Sequence, residues 1–205
     1  MSKNLDLAIR RGSTFTLSLR WEKEPWLYAA IVGIAQAAPA RLTTAAHTIP
    51  DGWRVAVLDA RGLTQLNATN SPPKDKDMRR ATVVSSTVVE FNDVSAAAFP
   101  QHTPSTGYLA WLTPQSLLGY TARMQVKDRA GGTALLSLTS DIGGGIELDD
   151  TGKVIEITVT AAQTEAFDWT SGAYDLELVS PGGVVTALLE GNVAVTAEIT
   201  TPTTP

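Results

Sequence analysis

The chain has 205 residues, a net charge of -5 and no cysteine, and its length suits one large domain or two small ones. The absence of cysteine excludes disulfides, thiolate metal sites and cysteine nucleophiles. The 16 Lys and Arg are scattered rather than gathered into the basic face that nucleic-acid binding requires. No apolar run approaches a bilayer-spanning length of about 18 residues, and MSKNLDLAIRRGS at the N-terminus lacks the apolar segment of a secretion signal. We therefore expect a soluble protein that is made and kept in the cytosol of its producer unless another device carries it out.

The first strong pattern along the chain is an alternation of apolar and polar residues in STFTLSLRW. Phe15, Leu17, Leu19 and Trp21 occupy every second position, which predicts a half-buried strand. The sequence Lys23-Glu24-Pro25 predicts the end of that strand, because proline cannot donate to a sheet hydrogen bond.

Residues 25–112 give a less regular pattern, interrupted by several prolines that favour short strands joined by loops. The run WLYAAIVGIAQAA is compatible with a strand or a short helix. Clearer strands are ARLTTA, WRVAVLDA and the pair ATVVSS and TVVEFN, which nearly abut and predict a tight hairpin. The polar segment NATNSPPKDKDMRR, between WRVAVLDA and ATVVSS, predicts an exposed loop.

Regular alternation returns after residue 118, with turn signals at the spacing of an antiparallel sandwich. The predicted strands are GYTARMQVKD, TALLSLT, IEL after a glycine corner, KVIEITVT, AYDLELVS, GVVTALLEG and NVAVTAEIT. The sequence SPGG predicts a hairpin turn, because glycine tolerates positive φ. TAAQTEAFDW predicts one or two helical turns capped by Thr160.

These patterns predict an all-β fold in which an antiparallel β-sandwich is interrupted by an independent inserted domain of short strands. Residues 1–24 and 113–200 would form the sandwich, 25–112 the inserted domain, and 201–205 a flexible tail. STFTLSLRW stands apart from the later strands in the sequence but has the same alternation, so we expect it to pair with them. Inserting a whole domain into a loop of the sandwich costs little free energy. The opening piece is basic and the closing piece acidic, so the two pieces that must pair have opposite charge.

Residues with metal-binding or catalytic chemistry are few. The two histidines, His47 and His102, lie in loop-like contexts without a second ligand, which favours a structural or surface role over metal binding. Gly143-Gly144-Gly145 is not followed by the Lys-Ser/Thr of a phosphate-binding loop, so we interpret it as a turn. No G-x-S-x-G motif is present.

Four acidic residues lie close together in the sequence, namely Asp141, Glu147, Asp149 and Asp150. Their oxygens could bind calcium, but the spacing differs from that of an EF-hand, and Asp-Asp-Thr-Gly is also typical of a hairpin. We favour the hairpin. We therefore expect no catalytic residue, no metal and no cofactor.

Five segments together carry a resemblance to a known family, namely RRGSTFTLSLRW, PARLTTAAHTIPDGWRVAVLDARGLTQLNA, ATVVSSTVVEFNDVSAAAF, LLGYTARMQVKDRAGGTALLSLTS and AYDLELVSPGGVVTALLEGNVAVTAEIT. They resemble segments of tailed-bacteriophage virion proteins from the tail tip, baseplate, collar or fibre-attachment region. GYTARMQVKD and the closing YDLELVSP…ALLEG resemble immunoglobulin-like modules of such proteins. HTIPDGWRVAV with TQLNA resembles the β-module that carries the label of the catalytic-cysteine half-domain of ubiquitin-activating enzymes. Without cysteine, that second resemblance implies a β-barrel-like shape only. Together the two resemblances imply an immunoglobulin-like antiparallel β-sandwich interrupted by an inserted small β-barrel-like domain.

The resemblance implies a structural, non-enzymatic virion protein that is assembled in the cytoplasm of the bacterial host. It would join neighbouring tail or baseplate subunits or fibres, as a homo-oligomeric ring or trimer, without nucleic acid or membrane. An alternative is a non-catalytic module that binds a host receptor or carbohydrate, with Trp26, Trp53 or Trp111 as a stacking platform, although tryptophans in strands more often belong to the core. A glycan-degrading enzyme is a third hypothesis, for which a chain of this size leaves little room.

Overall fold

The computed structural model describes residues 3–199, so the predicted tail at 201–205 lies outside the described residues. Strands make up 50% of the chain and helix 4%, with packed sheets and one nearly closed, barrel-like sheet. The predicted all-β fold class is therefore confirmed. The residues form two compact units, one of residues 3–21 and 116–199 and the other of Glu22–Gln115. We call them the sandwich unit and the inserted unit.

The strands follow one another along the chain in three blocks. The sandwich unit begins with β1 (Lys3–Asn4), β2 (Leu7–Arg10) and β3 (Phe15–Leu19). The inserted unit contributes β4 (Glu22–Ala35), β5 (Ala40–Thr44), β6 (Arg54–Leu58), β7 (Arg79–Arg80), β8 (Thr82–Ser85), β9 (Val88–Phe91) and β10 (Tyr108–Pro114), with a 3-10 helix at Asp75–Asp77. The sandwich unit then continues with β11 (Thr121–Lys127), β12 (Ala134–Thr139), β13 (Ile146–Asp149), β14 (Val154–Val159), α1 (Ala161–Glu165), β15 (Ser171–Val179) and β16 (Val185–Thr196).

The sandwich unit consists of two sheets around one core. The six-stranded sheet has the order β1-β16-β15-β11-β12, with β2 also paired to β16, and the three-stranded sheet has the order β13-β14-β3. Alternate residues of both sheets meet in a single apolar cluster that includes Met124, Leu176 and Ile157. The alternation in the sequence therefore marks the inward face of each strand.

The opening residues divide between the two sheets. β3 pairs antiparallel with β14, with Leu17 opposite Ile157, and covers the edge of β14 that does not pair with β13. β1 and β2 pair with β16 in parallel, which departs from the purely antiparallel arrangement expected from the sequence. Each pairing covers a strand edge that would otherwise present unpaired backbone groups. The strand predicted for STFTLSLRW ends at Leu19 rather than at Trp21. Half-buried Trp21 instead lies edge-on to Tyr120, with 5.9 Å between the ring centroids.

The prediction that Lys23-Glu24-Pro25 ends a strand is wrong, because β4 already begins at Glu22 and runs through Pro25. The register against β10 shifts between Leu112 and Thr113, and this irregularity accommodates the proline. The inserted unit thus begins at Glu22 rather than at 25, and ends after β10 at Gln115 rather than at 112. Glu22 and Pro114 are direct cross-strand partners, so the chain enters and leaves this unit roughly 5 Å apart.

The separate strands predicted at GVVTALLEG and NVAVTAEIT form one continuous strand, β16. Gly191 is the last residue of the first of these two predicted strands. In the structure a Cβ at Gly191 would overlap the carbonyl oxygen of Leu5, so glycine allows the opening segment to lie against β16. The backbone amide of Asn192 donates to the Asp6 carboxylate at 2.8 Å, which also stabilises the contact of the opening segment with β16.

The inserted unit is a seven-stranded sheet with the order β7-β6-β10-β4-β5-β9-β8. The run WLYAAIVGIAQAA, for which strand and helix were both open, lies almost entirely in β4. The predicted hairpin of ATVVSS and TVVEFN is confirmed as β8 and β9. Fully buried Trp53, Leu42 and Phe91 are among the largest side chains of the core.

Two local predictions in the sandwich unit are confirmed. The sequence SPGG joins β15 to β16, and Gly183 has a φ of 79°. Thr160 caps α1, with its hydroxyl accepting from the Gln163 amide and the Gln163 side chain bonding back to the Thr160 amide. Within residues 3–199 no helix has the length and hydropathy needed to cross a membrane.

Candidate functional site

The two histidines lie in separate, buried places in the inserted unit. His47 Nδ1 accepts a hydrogen bond from the Ile49 amide at 3.3 Å, and its ring lies edge-on to Trp111. Burial lowers the pKa of His47, because the charged imidazolium loses its hydration. His102 Nε2 lies 3.0 Å from the carbonyl oxygen of Thr106. The structure thus gives both residues internal contacts and does not bring them together into one site.

The acidic residues and glycines near residue 145 build turns. Asp149 accepts hydrogen bonds from the amides of Thr151 and Gly152, in the hairpin between β13 and β14. This confirms the hairpin interpretation of Asp-Asp-Thr-Gly. Hydrogen bonds from Lys153, the Leu117 amide and Ser116 lower the pKa of Asp150 to about 2.

The glycine run Gly143-Gly144-Gly145 also forms a turn, as expected. The Gly144 amide donates to the carbonyl oxygen of Asp141 at 2.8 Å, and both Gly143 and Gly145 have positive φ. Among the described residues, no three acidic or histidine side chains are grouped closely enough to hold a metal ion.

The predicted loop NATNSPPKDKDMRR is largely exposed and is organised around one carboxylate. Asp77 accepts hydrogen bonds from the amides of Lys74 and Thr69 and from the side chains of Asn70 and Thr69. These donors hold the pKa of Asp77 well below its usual range, with the Lys74 amide as the largest cause. The loop is therefore fixed by its own hydrogen bonds.

The three tryptophans considered as a stacking platform do not form one. Trp53 is 0% exposed and Trp111 3% exposed, and both belong to the core. Trp53 Nε1 also donates to the carbonyl oxygen of Leu112 at 3.1 Å. Trp26 is half-buried. The exposed large aromatic side chains of the inserted unit are instead Tyr28 at 58% and Tyr108 at 49%.

An apolar strip lies on the side of the inserted unit's sheet that faces away from its core. Along β4, Ala29 and Ile31 point into the core, whereas Tyr28, Ala30 and Val32 are exposed. Tyr108 of β10 is the cross-strand partner of Ala30 and lies diagonal to Tyr28. We call these four exposed residues, Tyr28, Ala30, Val32 and Tyr108, the tyrosine face. The sequence indicates this face through WLYAAIV, which is apolar at both odd and even positions. Only every second residue of a strand is needed for the core, so the other apolar residues are left on the outer face.

A shallow cleft of about 570 Å³ opens beside the tyrosine face. It is lined by residues 59–61 after β6, residues 105–108 at the start of β10, and Asn67. We call it the loop cleft. Tyr108 belongs to both the loop cleft and the tyrosine face, so an exposed ring stands between them.

Hydrogen bonds lock the two loops of the loop cleft together. The Thr103 amide donates to the carbonyl oxygen of Arg61, and the Arg61 amide donates to the Thr106 hydroxyl at 3.1 Å. The Asn67 side chain bonds to both the amide and the carbonyl oxygen of Ala60, at 3.0 and 2.9 Å. The backbone of the cleft is thereby fixed without using the carboxylate of Asp59 or the guanidinium of Arg61.

The backbone around the loop cleft adopts unusual conformations. Asp59 and Ser105 have φ values of 54° and 59°, a region that residues other than glycine rarely occupy. Gly107 has a φ of 83°, and a Cβ there would lie 2.7 Å from the carbonyl oxygen of Leu58. For residues other than glycine, here Asp59 and Ser105, such conformations cost on the order of 1 kcal/mol each and concentrate at functional sites.

The sandwich unit carries a second concave surface on the outer side of its six-stranded sheet, with a volume of about 640 Å³. Arg123, Gln125 and Lys127 project from β11 and face Asp175 and Glu177 on the neighbouring strand β15. Arg123 and Glu177 form an ion pair at 2.6 Å. We call this surface the charged face. It places basic and acidic side chains in adjacent rows.

Comparison with protein-family models gave no match, and comparison with curated proteins gave none at a significant level.

Proposed function

We propose that this chain is a non-catalytic structural component of a bacteriophage virion. It would belong to the tail, baseplate or fibre-attachment region and join neighbouring tail subunits or fibres through protein–protein contacts. The support is the resemblance of five sequence segments to such proteins, together with the tyrosine face. The virion is then its place of function, reached by assembly in the cytoplasm of the bacterial host.

The tyrosine face is the observation that carries this proposal. Tyr28 and Tyr108 are 58% and 49% exposed, and Val32, on the same strand as Tyr28, is exposed as well. Covering apolar surface releases about 25 cal/mol per Å². Tyrosine is also enriched in protein interfaces, where it buries a large rigid ring and keeps a polar hydroxyl. A flat surface of this composition suits a neighbouring virion protein.

The charged face would add specificity to such an assembly. Adjacent rows of Arg123 and Lys127 on one strand and Asp175 and Glu177 on the next present a pattern of both signs. A complementary pattern on a partner fixes the docking register more than it raises affinity. Two different surfaces on two units would let one chain contact two neighbours, as a ring or trimer of copies requires.

The test uses phage particles produced with a variant of this chain that is substituted on the tyrosine face, at positions outside the loop cleft. We expect mass spectrometry of purified particles to detect the wild-type chain and to find it reduced or lost in the double variant Tyr28→Ser/Val32→Ser. Val84→Ser is the matched control, because Val84 is exposed on β8 at the far end of the same sheet. A wild-type chain that is strictly monomeric and missing from purified particles contradicts the proposal.

A further inference from the structure

The side chains of Asp59 and Arg61 point to a ligand for the loop cleft. Both are exposed, and neither forms a hydrogen bond or ion pair through its charged group within residues 3–199. Their backbones, in contrast, are held by the bonds of Ala60 to Asn67 and of Arg61 to Thr106. A carboxylate and a guanidinium are thus presented from a fixed loop with their bonding capacity unused.

The opposite wall of the cleft supplies hydroxyl groups and one aromatic ring. Tyr108 is 49% exposed at this wall, and Ser105 and Thr106 lie beside it. The Thr106 hydroxyl already accepts from the Arg61 amide and donates to the carbonyl oxygen of Thr103 at 2.6 Å. Tyr108 therefore offers apolar surface, while Asp59 and Arg61 offer the free polar contacts.

The unusual backbone indicates that this arrangement is built into the fold. Ser105 is tied to Val32 through its amide, and the carbonyl oxygen of Gly107 accepts from the Ile31 amide, both at 3.0 Å. These bonds hold residues 105–107 against β4 in a left-handed conformation at Ser105 and Gly107. A site that is formed before the ligand arrives loses less conformational entropy on binding.

We propose that the loop cleft binds a neutral saccharide, with Asp59 and Arg61 bonding its hydroxyl groups and the ring of Tyr108 packing on its C–H face. A carboxylate can accept from two neighbouring hydroxyls of a pyranose, and a guanidinium can donate to two of its oxygens. The two charges are opposite, so the lining residues give no excess of positive charge that would favour an anionic ligand. A volume of about 570 Å³ lies within the range of small-ligand sites, about 300–1,000 Å³.

This inference does not depend on the proposed structural role. A shallow cleft with two charged contacts gives weak binding at a single site, with a Kd on the order of 1 mM. Several copies held in one assembly would raise the avidity without a new contact.

The experiment is a titration of the isotope-labelled full chain with methyl glycosides of glucose, galactose, mannose and N-acetylglucosamine, followed by amide NMR shifts. For at least one of the four, we expect shifts confined to residues 59–61 and 102–108. Asp59→Asn should weaken binding by about tenfold or more, because it removes a charged acceptor. Asn also tolerates the left-handed backbone, so the variant keeps its fold.

A second cleft variant and a matched control complete the test. Tyr108→Ala should also lose binding, whereas Val84→Ser, at an exposed position of β8 outside the loop cleft and the tyrosine face, should bind like the wild type. The inference is overturned by any of three results: no shifts with any of the four glycosides, shifts that Asp59→Asn and Tyr108→Ala leave unchanged, or tighter binding of sialic acid that requires Arg61 but not Asp59.

Discussion

The phenol hydroxyl of Tyr174 donates a hydrogen bond of 2.7 Å to the backbone carbonyl oxygen of Leu5. Tyr174 lies in β15, in the interior of the six-stranded sheet, and its side chain is buried. Leu5 lies between the two short strands that run parallel to β16. This hydrogen bond therefore joins the start of the chain to a strand that follows the inserted unit in the sequence.

Tyr174→Phe is expected to lower the free energy of unfolding by about 1 kcal/mol, or somewhat more because the partly buried carbonyl oxygen of Leu5 loses its donor. Denaturant unfolding followed by tryptophan fluorescence measures the change. Tyr28→Phe is the control, because the exposed Tyr28 hydroxyl has no partner among the described residues. Equal stability of Tyr174→Phe and the control contradicts a structural role for the bond.

Gly191→Ala is expected to destabilise the sandwich unit by roughly 1–3 kcal/mol, because the added methyl group overlaps the carbonyl oxygen of Leu5 and one backbone must move. Gly33→Ala in β4 is the matched strand control. A Cβ at Gly33 meets no atom within 4 Å, so this change should be neutral or slightly stabilising. Thermal melts of the two variants provide the comparison, and a Gly191→Ala protein as stable as the control contradicts the packing described for β16.

The pH dependence of stability should contain a contribution from His47. Burial lowers its pKa in the folded protein, whereas the unfolded chain keeps the ordinary value of 6.5. Between the two pKa values the unfolded state binds more protons, so the free energy of unfolding falls as the pH drops below about 6.5 and levels off below the folded pKa. The slope is at most about 1.4 kcal/mol per pH unit for one proton.

His47→Asn should remove this part of the pH dependence, because the amide oxygen can accept from the Ile49 amide in place of Nδ1 and does not titrate. Urea unfolding at several pH values between 8 and 5 measures it as the difference in slope between wild type and variant. Parallel curves for the two proteins contradict the assignment to His47.

The sequence predicted what depends on local patterns and missed what depends on contacts between distant segments. The alternation of Phe15, Leu17 and Leu19 predicted β3, since a period of two follows directly from strand geometry. The pattern predicted two strands that meet at Gly191, whereas the structure has one, and glycine is needed there because Leu5 approaches from the other end of the chain. No local pattern indicates that contact.

The candidate sites show the same division. WLYAAIV is apolar on both faces, and its composition does not tell which face remains uncovered, so the exposed tyrosines were missed while Trp53 and Trp111 were considered. The loop cleft joins residues 59–61 to residues 105–108 through hydrogen bonds between the loop after β6 and the loop before β10. A left-handed Asp59 or Ser105 is set by that pairing and leaves no mark in a single sequence.

The central claim is that residues 3–21 and 116–199 form one domain, and it is tested most directly by removing the inserted unit. Glu22 and Pro114 are cross-strand partners, so a short Gly-Ser linker in place of residues 22–115 can join the two ends. We predict that the shortened chain is soluble and unfolds cooperatively, whereas a fragment of residues 116–205 does not, because it lacks β3 beside β14 and β1 and β2 beside β16. A cooperative melt for that fragment, or none for the linked chain, contradicts the claim.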